Sequence, residues 1–227
     1  MASLLAVPPS STETESATLA SLKPAIVAIA GPSGSGKSYL SHALAHRLPG
    51  EVGILSIDSY YRDLPHLSYA QRCEINFDHP DSIDDQLLTT QLEALLAGHA
   101  IEKPVYDFAT HLRAPEPEPF APAPILVLEG IFALYFPRVR EIAAVKVYVQ
   151  TPDEECYGRR LERDTHERGR TPDSVAHQYQ ATVLPMAAEF VWPTRRFADL
   201  EVSGTQPVEL AVDAILKLLS AASPPPR

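Results

Sequence analysis

The octapeptide "GPSGSGKS", Gly31 to Ser38, has the spacing G-x-x-x-x-G-K-[ST]. Glycines so placed let backbone N–H groups curl around phosphate oxygens. The lysine reaches the β- and γ-phosphates of a nucleotide, and the last hydroxyl can bind Mg²⁺. The stretch follows a short apolar run, "AIVAIA", and opens a segment with helical spacing, which adds the positive end of a helix dipole. Gly31, Ser33, Gly34, Ser35, Gly36, Lys37, Ser38 and Tyr39 are the expected nucleotide-binding residues, with Lys37 also catalytic. Glu129 ends "ILVLE" and is placed, with Ser38, to hold Mg²⁺ or its bound water. Asp58 ends "VGILSI", a strand expected beside the phosphate-loop strand. From there it can accept a proton from an attacking hydroxyl, or hold that hydroxyl in line.

A second concentration of chemistry is "RRLERDTHERGR", 159 to 170, which holds five of the 14 Arg in a chain of formal charge −10. On a helix Arg159 and Arg163 are four apart, and Arg160 and Arg163 three apart, so the pairs share a face. Gly169 ends that helix and leaves Arg168 and Arg170 on a turn. Phosphoryl transfer spreads negative charge over the γ-phosphoryl oxygens, and fixed cations lower the barrier. The planar guanidinium suits this work because it grips phosphate and stays charged. The competing reading is a solvated helix face stitched by Glu162, Asp164 and Glu167, and it is the expectation for Arg159. With the phosphate loop upstream, the segment reads as a lid over a triphosphate. The guanine reader Asn-Lys-x-Asp of regulatory GTPases is missing, since the single Asn, Asn76, precedes Phe.

The elements that must position these residues alternate. Apolar runs at 25–30, 52–57, 125–129, 145–149 and 198–202 predict strands. Helices are predicted after the phosphate loop, with Leu40, Leu44 and Leu48 on one face, at 153–167, at 172–190 with Thr171 as cap, and at 207–220. This is an α/β pattern: a P-loop NTPase-like parallel sheet flanked by helices. Residues 59–124 interrupt it as an insertion. There "SIDDQLLTTQLEALLAG" predicts a helix capped by Ser82, with Ile83, Leu87, Gln91 and Leu95 in step. "IEKPVY" and "ATHLR" predict a short hairpin, and "APEPEPFAPAP" a stiff extended connection. Insertions at the carboxyl ends of parallel strands are where such sheets hold ligands. One domain, 23–222, is expected between flexible tails at 1–22 and 223–227, with the lid at 153–170.

The 227 residues are 45 % apolar and 21 % charged, an ordinary globular balance. The acidic excess disfavours non-specific nucleic-acid binding. No apolar run spans a bilayer, no basic-then-apolar leader opens the chain, and the two Cys fit no metal or disulfide pattern. A cytoplasmic protein with no membrane partner is expected.

"DSYYR" (58–62), "NFDHPDS" (76–82), "PVYDFATHLR" (104–113), "EGI" (129–131), "RRLERDTHERGR", "SVAHQYQATVLPM" (174–186) and "FVWPTRRFAD" (190–199) resemble the blocks of uridine-cytidine kinase, in order and at similar spacing. The resemblance covers about 25–200. It implies transfer of phosphate from ATP, or GTP, with Mg²⁺, to the 5′-hydroxyl of uridine or cytidine, and a homo-oligomer, commonly a tetramer. It implies that Asp58 is the catalytic base or orienter, that Asp78, Arg160 and Gln178 bind mainly ribose, that Tyr106, His111 and Arg170 read the base, and that Tyr61 and Phe77 wall the pocket. Arg163 and Arg168 then face phosphates. A carboxylate can accept both hydrogen bonds of a ribose diol, and a neutral imidazole can meet uracil O4 or the cytosine amino group by changing tautomer. Two stretches depart from the family. "DSIDD" stands where a Phe more often follows "HPDA", and "SGTQ" replaces an "IIPxG"-like turn expected near the adenine. The alternatives are a kinase of the same fold acting on another small alcohol (nicotinamide riboside, pantothenate or a sugar phosphate) and a non-catalytic nucleotide sensor. Loss of Asp58 or the lid arginines would favour the sensor, and all are present.

Overall fold

The computed structural model describes residues 24–222, so the tails expected at 1–22 and 223–227 fall outside the described residues. In chain order the strands are β1 (Ala25–Ala30), β2 (Val52–Ser56), β3 (Ile101–Lys103), β4 (Tyr106–Asp107), β5 (Leu112–Arg113), β6 (Glu118–Phe120), β7 (Ile125–Glu129), β8 (Ala143–Gln150) and β9 (Leu200–Ser203). The helices are α1 (Lys37–Arg47), α2 (Tyr69–Cys73), α3 (Asp85–Leu96), α4 (Pro137–Ile142), α5 (Asp153–His166), α6 (Pro172–Gln178), α7 (Leu184–Met186) and α8 (Val208–Ala222). A five-stranded parallel sheet in the order β2-β7-β1-β8-β9 forms the centre. Its inner strands β1 and β7 are buried on both faces, which is why they read as unbroken apolar runs.

The period of two sorts the side chains into two cores. Ile26, Ala28 and Ala30 face one, with Leu126, Leu128 and Leu55. Val27 and Ile29 face the other, with Val127, Val145 and Val147. Helix α1 covers the second core with Leu40, Leu44 and Leu48, beside Val212, Ile215 and Leu219 of α8. Helix α3 covers the first with Leu88, Leu92 and Leu95. No described helix is long and apolar enough to cross a membrane.

Four expectations are corrected. First, β2 does not neighbour β1, because β7 lies between them and pairs with both. Both are short apolar runs, and periodicity carries no strand order. Second, the hairpin is narrower than expected: Tyr106–Asp107 pairs with Leu112–Arg113, while Ile101–Lys103 pairs with Glu118–Phe120 inside the proline-rich connection. Pro119, opposite Glu102, is tolerated because this ladder has only two strands, so an N–H can be absent on the open side. Third, α3 is capped by Asp84, whose carboxylate accepts from the Leu87 amide at 3.2 Å, while the Ser82 hydroxyl donates to the His79 carbonyl at 2.6 Å. The buried stripe is correspondingly Leu88, Leu92 and Leu95, and Gln91 accepts from the Tyr60 hydroxyl at 2.8 Å. Fourth, the helix expected over 172–190 starts as predicted, with Thr171 accepting from the Ser174 amide, but widens into π turns at Tyr179–Val183 and Ala187–Val191. Pro185, between them, has no N–H to continue a regular ladder.

Candidate active site

The phosphate loop is held by close backbone packing. Gly34 has φ +81°, and a Cβ there would sit 2.3 Å from the Cys156 carbonyl oxygen. Gly31 has φ +147°, and its Cβ would sit 2.4 Å from the Val149 carbonyl oxygen. Only glycine meets both demands. The Thr151 hydroxyl donates to the Ser35 carbonyl at 2.9 Å, which ties the loop to the end of β8. Lys37 is buried and donates to the Pro32 carbonyl at 2.8 Å, folded onto its own loop. Burial lowers its pKa, and the carboxylates of Glu129 and Asp58 oppose that.

Glu129, at the end of β7, is buried, and burial raises its pKa against the pull of Lys37. The hydroxyls of Ser38 and Ser56 lie beside it and favour its charged form. A buried carboxylate beside a hydroxyl is a donor set that fits Mg²⁺, which takes few protein oxygens and keeps waters. Among the described residues, no group of three His, Cys, Asp or Glu side chains is placed to hold a metal. Asp58 lies on a single 3₁₀ turn, Ile57–Tyr60, directly after β2. Although β2 is one strand further from β1 than expected, Asp58 acts electrostatically on Lys37, Glu129, Tyr61 and Asp78. Its carboxylate therefore lies between the phosphate loop and the insertion.

One cleft of about 850 Å³ joins these parts, and Ser33, Asp58, Asp78, Arg160, Arg163 and Gln178 are among its lining. Its far side is aromatic. Tyr61 meets Phe77 edge-on at 5.2 Å and Tyr106 at 5.1 Å between ring centroids. His111 stacks on Phe77 at 4.9 Å with planes 14° apart, and it has φ 55° at the tip of the β4–β5 hairpin. Asp107 braces that tip, accepting from the Ala109 amide and the Thr110 hydroxyl at 2.8 Å each. Burial pushes the Tyr106 phenol up to about 12, and its hydroxyl is buried without a hydrogen-bond partner. Asp78 is buried, which raises its pKa, while Arg160 at 3.9 Å and the Thr182 hydroxyl at 3.4 Å favour its charged form. Arg160 also donates to Ser33 Oγ and Gln178 Oε1 at 3.1 Å each, so it bridges the phosphate loop and the end of α6. Arg170 donates to the same Gln178 oxygen.

The structure thus brings Tyr61, Phe77, Asp78, Tyr106, His111, Arg160, Arg163, Arg168, Arg170 and Gln178 around one cleft with Asp58. Tyr39 is elsewhere: it is 70 % exposed and lines a second cleft of about 250 Å³ with Gly36, Gly204 and Gln206. Arg159 is corrected. It is not a solvated ion-pair residue but donates to the carbonyls of Gly34 at 3.4 Å and Gly204 at 3.1 Å, because its turn of α5 faces the phosphate loop.

Sequence reasoning missed several supports. Arg72 donates to the carbonyls of Thr110, at 3.0 Å, and Leu67, fixing the hairpin tip from α2. Thr182 reaches Asp78 because a π turn widens the helix there. Asp164, which only the competing reading named, as part of a solvated face, is wholly buried among the arginines of α5 and the turn after it. The signal was present: Cys156, Arg160 and Asp164 recur every four residues, and all are buried. At "DSIDD", Ile83 fills the core at 1 % exposure and bridges to Tyr61.

The chain matches the phosphoribulokinase / uridine kinase family over residues 26–211. It is 41 % identical over 200 residues to the uridine kinase of Chloroflexus aurantiacus, covering 88 % of this chain and 96 % of that protein. It is 44 % identical over 197 residues to the uridine kinase of Lactobacillus johnsonii, covering 86 % and 93 %. In fold it is similar to a D-glycerate 3-kinase from Cryptococcus neoformans var. grubii, with a TM-score of 0.60 at 15 % identity, over 86 % of this chain and 95 % of that one. With the family matched along nearly the whole described fold, and curated relatives above 40 % identity, the chain belongs to the phosphoribulokinase / uridine kinase family.

Proposed function

We propose that the protein phosphorylates the 5′-hydroxyl of uridine and cytidine, with ATP as donor. The observation that carries this reading is one cleft lined by Ser33 of the phosphate loop, by Asp58 and by an aromatic bay. That bay contains Asp78, a buried carboxylate suited to a diol, and Tyr106 and His111, which would read the base. The relatives named uridine kinase support the same acceptor.

Asp78, with Arg160 and Gln178 beside it, accepts the ribose hydroxyls and fixes the 5′-carbon. Phe77 and Tyr61 exclude water from the base. Asp58 accepts the proton of the 5′-hydroxyl as that oxygen attacks phosphorus. Lys37, released from the Pro32 carbonyl, and the lid residues Arg163 and Arg168 take up charge on the transferred oxygens. Glu129 and Ser38 would hold Mg²⁺, which when bound neutralises the donor's phosphate charge. The smaller cleft beside Tyr39, Gly204 and Gln206 is where the donor base would lie, next to the phosphate loop.

The test is ADP release from ATP and Mg²⁺ with uridine, cytidine, nicotinamide riboside, pantothenate and ribulose 5-phosphate. Turnover with a pyrimidine nucleoside is the expected result. Turnover with another alcohol alone would keep the fold and discard the roles given to Tyr106 and His111.

A further inference from the structure

Asp164 has no exposed surface and does not line the cleft, yet the four arginines around it do. Its Oδ1 accepts from Arg163 at 3.0 Å (Nε) and 2.9 Å (Nη2) and lies 3.5 Å from Arg168 Nη1. Its Oδ2 lies 3.4 Å from Arg160 Nε and 3.6 Å from Arg170 Nη1, with no hydrogen bond of its own. Gly169, at φ +64°, turns the chain so that the Arg170 amide donates to the Asp164 carbonyl at 3.0 Å. One residue therefore gathers the lid through both side chain and backbone.

We propose that Asp164 is the positioning residue of the lid: one buried carboxylate that aims Arg160, Arg163, Arg168 and Arg170 at the reacting groups. This rests on the reading that those arginines face phosphate and nucleoside. Four guanidinium groups repel one another and, untethered, turn toward water. A single buried anion holds them together while leaving an excess of positive charge for the donor's phosphates. Of the four carboxylates that line the cleft, Asp78 approaches only Arg160, at 3.9 Å, Asp58 acts on Arg168, and among the described residues no ion pair joins Asp107 or Glu167 to any of the four arginines. None reaches the whole set. Because Asp164 is sealed from the cleft, it cannot touch substrate. Its effect on the rate runs through the geometry of the arginines.

Two variants separate this role from a merely structural one. Asp164→Asn keeps the shape and removes the charge, and Asp164→Ala leaves room for formate. Both are expected to lose about 100-fold in kcat per folded molecule, the scale of a displaced electrostatic group. Formate, and not chloride, is expected to return about tenfold of that loss in Asp164→Ala and nothing in Asp164→Asn, which has no room for it. The Arg163 Nε–H signal in nitrogen-15 NMR, read without substrate, should exchange slowly in the unsubstituted protein. It should be lost in Asp164→Ala and return there with formate, and it should exchange faster in Asp164→Asn, whose neutral amide oxygen accepts more weakly. The proposal is overturned if either variant stays within about threefold of the parent kcat, if formate acts alike on both, or if the Arg163 signal is unchanged. Should Asp164→Ala not fold, Asp164→Asn alone decides by its kcat and that signal. A parent inactive on uridine and cytidine would strike the acceptor reading, not the role of Asp164, which the NMR signal reads without any acceptor.

Discussion

Burial and the guanidinium of Arg72 both lower the His111 pKa below the ordinary imidazole value of 6.5, because each penalises the charged ring. The ring is therefore neutral at physiological pH, with one donor and one acceptor nitrogen. As pH falls through its lowered pKa, the acceptor is lost and both nitrogens donate. Uracil O4 can still be met; the cytosine amino group cannot. The ratio of kcat/KM for cytidine to that for uridine should thus fall with pH, approaching about tenfold per unit below the pKa. His111→Leu should weaken both substrates and flatten the ratio. A ratio flat with pH in the unsubstituted protein would reject the tautomer account. That His111, Asp78 and Asp58 meet at one cleft was legible in the sequence because their neighbours form specific blocks. Asp164 was not, because a carboxylate among arginines on a helix reads as a solvated face until burial is known.

At the scale of elements, the phosphate loop and α1 were legible in full, since a glycine pattern, a following lysine and leucines every four residues each have one structural meaning. What the sequence did not show is how the loop is gripped. The Cβ that Gly34 lacks would collide with the Cys156 carbonyl at the start of α5, the helix that carries the lid. Gly34→Ala must then push the loop and the lid apart, at a φ that alanine also resists. A fall of at least about 100-fold in kcat/KM for ATP is expected, with the fold retained by circular dichroism. Activity near that of the parent would mean that the contact is not needed. The hairpin and the proline-rich connection were misjudged together, because pairing partners such as Ile101 and Phe120 are distant in sequence and carry no local signal.

For the whole molecule, the insertion and the sheet share a core. Leu88, Leu92 and Leu95 of α3, Tyr60 and Ile83 pack in the same cluster as Ile26, Ala28 and Leu128. The insertion is therefore expected to unfold with the sheet, in one calorimetric transition whose van't Hoff and calorimetric enthalpies agree. Two separated transitions would show an independent insertion. The five strands and the α/β class were legible from apolar runs, but their order was not. With β7 between β2 and β1, Asp58 reaches the loop from one strand further out, by the turn at Ile57–Tyr60. Strand order is set by which surfaces can be buried together, a property of the whole chain.

The most direct measurement is phosphoryl transfer from ATP to uridine by the parent and by Asp58→Asn, with uridine affinity measured separately by calorimetry. A proton acceptor or orienter at that position predicts a loss of about 10²–10⁴ in kcat with uridine affinity within about threefold. A kcat within about tenfold of the parent, or a loss matched by weaker uridine binding, would contradict the place given to Asp58 in the reaction.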